Sequence, residues 1–74
     1  MTAKEMFEEL GYKEIKSDNE YNIICYERYT PKRDKEEIVF HRNKHFATFL
    51  NGKFSYVFIK ELKAINKQIE ELGW

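Results

Sequence analysis

The residue types that most often bind metals or act as nucleophiles are few in this chain. His41 and His45 are separated by three residues, and Cys25, the single cysteine, lies upstream. A structural zinc site needs four ligands and usually includes a paired cysteine motif. Because the two histidines flank a turn-like Arg-Asn-Lys and no second cysteine exists, we predict no metal site.

The sequence also gives little support for covalent catalysis, which requires a nucleophile, a base and an orienting group in a cleft. Cys25 lies in the most apolar stretch of the sequence, where a thiol behaves as a small inert hydrophobe. The three glycines follow two helices and form one hairpin turn, so the chain has no glycine-rich phosphate loop. We predict a protein that is not an enzyme and uses no cofactor.

Positive charge is concentrated in the middle of the chain, beside aromatic residues. Residues 28–53 have seven basic and three acidic side chains, whereas residues 1–27 have three basic and seven acidic ones. Basic groups interleaved with rings are typical of nucleic-acid-binding surfaces, although the net charge is zero. Nucleic-acid binding is therefore an alternative, with candidate contacts Arg28, Lys32, Arg33, Arg42 and Lys44.

These residues must be positioned by elements that the sequence also predicts. Thr2 and Glu5 form the T-x-x-E capping box that begins a helix, and apolar residues spaced three and four apart predict a second helix over about 59–72. Ser55 is one candidate for its N-cap. Both helices stop at Glu-Glu-Leu-Gly followed by an aromatic residue. A glycine there favours a Schellman ending in which the following aromatic packs back, so we expect Trp74 to be docked.

Short strands separated by turns fill the segment between the helices. Strand-like stretches cover 12–16, 21–30 and 36–42, with a polar turn at 17–20. Asn51-Gly52 between two alternating runs predicts a type I′ hairpin, with "KFSYVF" as its second strand. We therefore expect one α+β domain, 1–74, of order α-β-β-β(-β)-α. Its antiparallel meander sheet would pack against the N- and C-terminal helices, an order that resembles the double-stranded-RNA-binding domain in outline only.

The predicted sheet has aromatic residues on both faces. In the strand at 21–29, Tyr21, Ile23, Cys25 and Tyr29 alternate with Ile24 and Tyr26. A sheet with helices on one face normally has polar residues on the other, so the surplus is either covered by neighbours or forms a partner surface. The partner would be a second copy of this chain or a different protein. Because aromatic and arginine side chains dominate interface energies, the candidate partner contacts are Tyr26, Tyr29, Arg33, Arg42 and Phe49.

The length, cysteine usage and hydropathy predict the cellular setting. A lone cysteine suits a reducing compartment, no apolar run approaches the length of a membrane span, and the first residues lack the apolar core of a signal peptide. We expect a cytoplasmic protein without membrane contact.

The stretches "TAKEMFEELGY" and "IKELKAINKQIEELGW" resemble short proteins encoded by phages and prophages of Gram-positive bacteria. The resemblance covers both ends of the chain and includes the terminal Glu-Leu-Gly-Trp. It implies a phage accessory protein that binds and inhibits or modulates a host or defence protein. A homo-oligomeric sponge for a small nucleotide signal is a further alternative, and would need basic residues that converge across a subunit interface.

Overall fold

The structure is a computed structural model that describes residues 1–15 and 22–74. One helix precedes and one follows the strands of a single sheet in the sequence, in the order predicted, so the α+β architecture is confirmed. The strands form an antiparallel meander in which each pairs with its neighbour in the sequence. The elements are α1 (Ala3–Glu9), β1 (Lys13–Ile15), β2 (Asn22–Tyr29), β3 (Lys35–His41), β4 (His45–Leu50), β5 (Lys53–Phe54) and α2 (Ile59–Leu72). The predicted turn at 17–20 and Tyr21 lie outside the described residues.

Both helices end in the predicted Schellman arrangement. Gly11 and Gly73 have φ angles of 92° and 74°, which a residue without a Cβ adopts at no steric cost. In each case the amide of the following aromatic residue donates to the carbonyl five residues before it. The two bonds are Tyr12 to Phe7, 2.9 Å, and Trp74 to Ile69, 3.1 Å. Trp74 packs against the core, so the prediction that it is docked is confirmed.

The core lies between the two helices and one face of the sheet. Its buried members come from both helices, the turn after α1 and the two central strands: Phe7, Tyr12, Tyr26, Ile38, Phe40, Ala64 and Ile65. The ring of Phe7 stacks on Tyr26 with centroids 4.1 Å apart. Gln68, on α2, accepts a hydrogen bond of 2.8 Å from the hydroxyl of Tyr26. Both helices therefore cover the face of the sheet to which Tyr26 belongs.

The β4–β5 hairpin has the predicted turn but a shorter second strand. Asn51 and Gly52 have φ angles of 52° and 82°, the two positive values that a type I′ turn requires. β5 ends at Phe54, whereas the sequence predicted a strand through Phe58. The backbone of Ser55 pairs with Thr48: its amide donates to the Thr48 carbonyl, 2.9 Å, and its carbonyl accepts from the Thr48 hydroxyl, 2.7 Å.

One prediction, that Ser55 is the N-cap of α2, is therefore wrong. The N-cap is Phe58, whose amide donates to a carboxylate oxygen of Glu61, 3.3 Å, and whose carbonyl accepts from the Glu61 amide, 2.9 Å. Phenylalanine is a poor N-cap because its side chain cannot accept a hydrogen bond from the first turn. Within the described part of the chain, no helix is long and apolar enough to cross a membrane.

Candidate protein-binding surface

The predicted basic surface is divided between the two ends of the sheet. Lys32 and Arg33 lie in the turn between β2 and β3, whereas Arg42 and Lys44 lie in the turn between β3 and β4. All four are exposed. The two turns are separated by the seven residues of β3, a length of roughly 23 Å at 3.3 Å per residue. The structure therefore does not bring these cations together in one patch.

Arg28, the fifth candidate for nucleic-acid binding, is used inside the protein. Its guanidinium lies 3.2 Å from carboxylate oxygens of both Glu36 and Glu61. It also donates to the carbonyl of Leu10, 2.8 Å, and lies 4.3 Å from the centre of the Tyr12 ring. Only 14% of the Arg28 side chain is exposed. The prediction that Arg28 contacts nucleic acid is wrong, because its donors already bind groups of the core.

The Tyr12 hydroxyl completes this buried cluster by donating to Glu61. Burial, reinforced by the negative charge of Glu61, raises the pKa of Tyr12 above its ordinary value of 10.0. The hydroxyl therefore keeps its proton at neutral pH and serves as a donor to the carboxylate. These contacts tie α2 to the turn after α1 and to β2, which is a structural role.

The predicted partner contacts on the strands lie on both faces of the sheet. Tyr26 is only 2% exposed and belongs to the core, so its assignment as a surface contact is wrong. Tyr29 lies on the opposite face of the sheet, which neither helix covers and which we name the open face; it is 61% exposed. Phe49 lies on that face too, with its ring 5.2 Å from that of Phe54. Contact of a partner by Tyr29, Phe49, Arg33 and Arg42 stays a prediction.

The potential metal ligands and nucleophile also lie at or near the open face. The rings of His41 and His45 lie opposite each other on β3 and β4, with centroids 4.6 Å apart. Burial and the neighbouring His45 lower the pKa of His41. Among residues 1–15 and 22–74 there is no group of three or more ligands that could hold a metal. Burial, reinforced by Glu37 and Glu27, raises the pKa of the Cys25 thiol to about 11, so this thiol is protonated at neutral pH.

The largest apolar exposure lies where the chain passes from β5 into α2. We name residues 54–59, Phe-Ser-Tyr-Val-Phe-Ile, the aromatic segment. Three of its side chains are almost fully exposed: Phe54 84%, Tyr56 86% and Ile59 84%. Phe58 is 48% exposed and Val57 37%. Leu62, three residues after Ile59 and therefore on the same side of α2, is 40% exposed.

The aromatic segment is exposed because of the short connection on which it lies. Ser55 is held against β4 by its two bonds to Thr48, and α2 begins only four residues later. The buried face of α2 starts at Glu61 and continues through Ala64 and Ile65. The apolar side chains of the aromatic segment, which precede Glu61, thus lie outside the core between the two helices and the sheet.

The sequence contained one signal of this surface that its alternating pattern obscured. "KFSYVF" alternates as a half-buried strand would, but an apolar residue directly before the helix is a poor N-cap. A conflict of this kind between local preference and fold is often a mark of function. The exposed residues Phe54, Tyr56, Phe58, Ile59 and Leu62 were not predicted as contacts.

Comparison with known proteins gives no match: no family model fits the chain, and neither a curated protein sequence nor a solved structure matches it significantly.

Proposed function

We propose that this protein is a non-enzymatic binding module that contacts a partner protein through the aromatic segment. The observation that carries the proposal is the exposure of Phe54, Tyr56 and Ile59, each above 80%. Single exposed apolar residues are normal, but contiguous ones rimmed by polar residues mark interaction sites. Aromatic side chains are also the residues that contribute most to binding where they become buried in an interface.

The partner class rests on the sequence resemblance to short phage and prophage proteins. We propose that the partner is a host or defence protein that the module inhibits or modulates. Such a role needs a stable surface and no catalytic group, and the aromatic segment lies between two elements that are tied to the core. Its backbone is fixed at Ser55 by Thr48 and at Phe58 by Glu61.

The charge distribution favours a protein partner over a nucleic acid. A nucleic-acid surface gains affinity from several cations that contact neighbouring phosphates. Here the exposed cations of the two turns lie at opposite ends of β3, and Arg28 is paired with Glu36 and Glu61. The aromatic segment itself contains no charged residue.

The proposal is tested by capture from a lysate of the host with immobilised protein and two matched double variants. Tyr56→Ser with Ile59→Ser alters the aromatic segment, and Arg33→Ser with Lys44→Ser alters the two basic turns. All four side chains are exposed, so both variants should fold. We expect the first variant to lose at least about tenfold in affinity for the captured protein, equivalent to about 1.4 kcal/mol, and the second to bind as the unmodified protein does.

Equal capture by the aromatic variant and the unmodified protein would contradict the proposal. Loss of capture in the basic variant alone would move the binding surface to the turns. Binding to labelled DNA or RNA that weakens steeply with salt would instead support the nucleic-acid alternative.

A further inference from the structure

β5 is the last strand of the sheet, so its outer edge has no strand beside it in the described structure. The amide of Ser55 donates to Thr48 on β4, and its carbonyl accepts from the Thr48 side chain. Because backbone groups point alternately to the two sides of an antiparallel strand, those of Phe54 point outward, and those of Tyr56 would do so in an extended chain that continues β5. Such an edge is a template for pairing with another strand.

The edge strand β5 is short, two residues, but its continuation lacks the side chains that normally prevent such pairing. Charged side chains, prolines and bulges protect most exposed edges, but residues 54–59 contain no charge, proline or glycine. Charges lie only just outside, at Lys53 and Lys60. The segment could therefore pair with an uncharged edge of matching shape.

We propose that the edge is occupied by a second copy of this chain, paired antiparallel about a two-fold axis at Tyr56. The inference rests on the proposed function, because it names the occupant of the same surface while no host protein is bound; binding of a host protein would displace the second copy. In this register Tyr56 faces Tyr56 of the copy, and Phe54 faces Phe58. Residues 54, 56 and 58 share one side of an extended strand, so the rings would form aromatic cross-strand pairs.

This register brings no like charges directly opposite each other. With the axis at Tyr56, Lys53 lies opposite Ile59 of the copy and Lys60 lies opposite Gly52. Neither lysine therefore faces another cation, an arrangement that would be destabilising. The Phe58 amide and carbonyl already bind Glu61 in the first turn of α2. The backbone hydrogen bonds of the dimer would therefore be those between the two Tyr56 residues, and Phe54 would meet Phe58 through their rings.

The exposed area matches what a dimer of this size requires. At about 200 Å² per ring, the exposed fractions of Phe54, Tyr56 and Phe58 amount to about 440 Å². A standard interface buries about 800 Å² on each partner, so these three rings would supply more than half. Ile59, 84% exposed, lies at the end of the same segment and adds apolar area.

The register is tested by disulfide formation in the full chain with Tyr56→Cys and a matched control, Ile59→Cys. The two positions are 86% and 84% exposed, so the thiols should react equally with small reagents. In the proposed dimer Tyr56 faces its own copy at about 5.5 Å between Cα atoms, within the range that a disulfide spans. Ile59 and its copy would be six residues apart, roughly 20 Å, which is too far.

With oxidised glutathione as the oxidant, we expect the Tyr56→Cys chain to give at least about ten times more covalent dimer than the control, because pairing raises the effective thiol concentration. The unmodified protein should show twice its mass of 9.0 kDa in native mass spectrometry. A monomeric mass, or no excess of dimer from Tyr56→Cys, would overturn the inference. The proposed function would then stand or fall separately, on whether the aromatic double variant loses capture of a host protein.

Discussion

Replacing Arg28 with methionine should remove the cation that holds two carboxylates next to the core. The guanidinium lies 3.2 Å from both Glu36 and Glu61, and the Glu61 side chain is only 2% exposed. Methionine keeps a similar length beside Tyr12 but cannot neutralise either charge. The variant would leave the Glu61 carboxylate buried, with the Tyr12 hydroxyl and the Phe58 amide as its remaining described partners.

Leaving one partner of a buried ion pair uncompensated costs about 3–5 kcal/mol. A chain of 74 residues is expected to have a free energy of unfolding of about 4–11 kcal/mol. The substitution should therefore remove a large part of the stability. Adding Glu61→Gln removes the buried charge, so the double variant should be more stable than Arg28→Met alone, with a coupling energy of about 1–3 kcal/mol.

The assay is urea unfolding followed by the fluorescence of Trp74, the single tryptophan, which packs on the core. Arg33→Met is the matched control, because Arg33 is exposed in the β2–β3 turn, and should change the stability by less than about 0.5 kcal/mol. If Arg28→Met costs no more than Arg33→Met, the ion cluster does not stabilise the fold and the reasoning is refuted.

Four other substitutions or conditions have defined outcomes. Gly73→Ala should lower the free energy of unfolding by about 1–2 kcal/mol, because its φ of 74° is unfavourable for a residue with a Cβ. No steric clash adds to this cost, since the Cβ would meet no atom within 4 Å. Gly11→Ala should cost more in the same unfolding assay, since its Cβ would also lie 3.3 Å from Arg28; equal costs would contradict this account. Burial raises the pKa of Tyr26 from 10.0 to about 12. As the pH rises, the unfolded chain therefore loses this proton before the folded chain does. The stability that the neutral hydroxyl contributes below pH 10 should fall between about pH 10 and about pH 12. Tyr26→Phe should reduce that fall, and an unchanged pH profile would contradict the raised pKa of Tyr26. Cys25, 4% exposed with a pKa of about 11, should react with Ellman's reagent far more slowly in the native protein than in urea, and similar rates would show that the thiol is accessible.

The parts of the fold that the sequence predicted correctly depend on neighbouring residues. The capping box joins Thr2 and Glu5, three positions apart. The two helix endings need only a glycine and a contact five residues back, and the Asn51-Gly52 turn needs only two residues that tolerate positive φ. Local chemistry decides each of these features, and it is visible in the sequence.

The errors depend on contacts between distant parts of the chain. Tyr26 and Cys25 belong to opposite faces of one strand and both are apolar enough for a core, so the sequence alone does not show which face the helices cover. The helices cover Tyr26, whose hydroxyl bonds Gln68, 42 positions away. Arg28 pairs with Glu61, 33 positions away. No local pattern distinguishes such an arginine from one that binds phosphate.

The aromatic segment was missed for a different reason. Its alternation predicted a strand through Phe58, and α2 begins at Ile59 as predicted. β5 nevertheless ends at Phe54, and Ser55 makes the last described backbone bonds to β4. The exposed rings of this connection form the surface on which the proposed function depends.

The central claim is that the aromatic segment contacts a protein, and site-specific photo-crosslinking tests it most directly. A photoreactive phenylalanine analogue would replace Tyr56, and in a control chain Arg33, in the cells that naturally make the protein. We predict covalent protein adducts from position 56 and few from position 33. An adduct of twice 9.0 kDa would identify a second copy, and any other mass a different protein. Adducts at position 33 without adducts at position 56 would contradict the account.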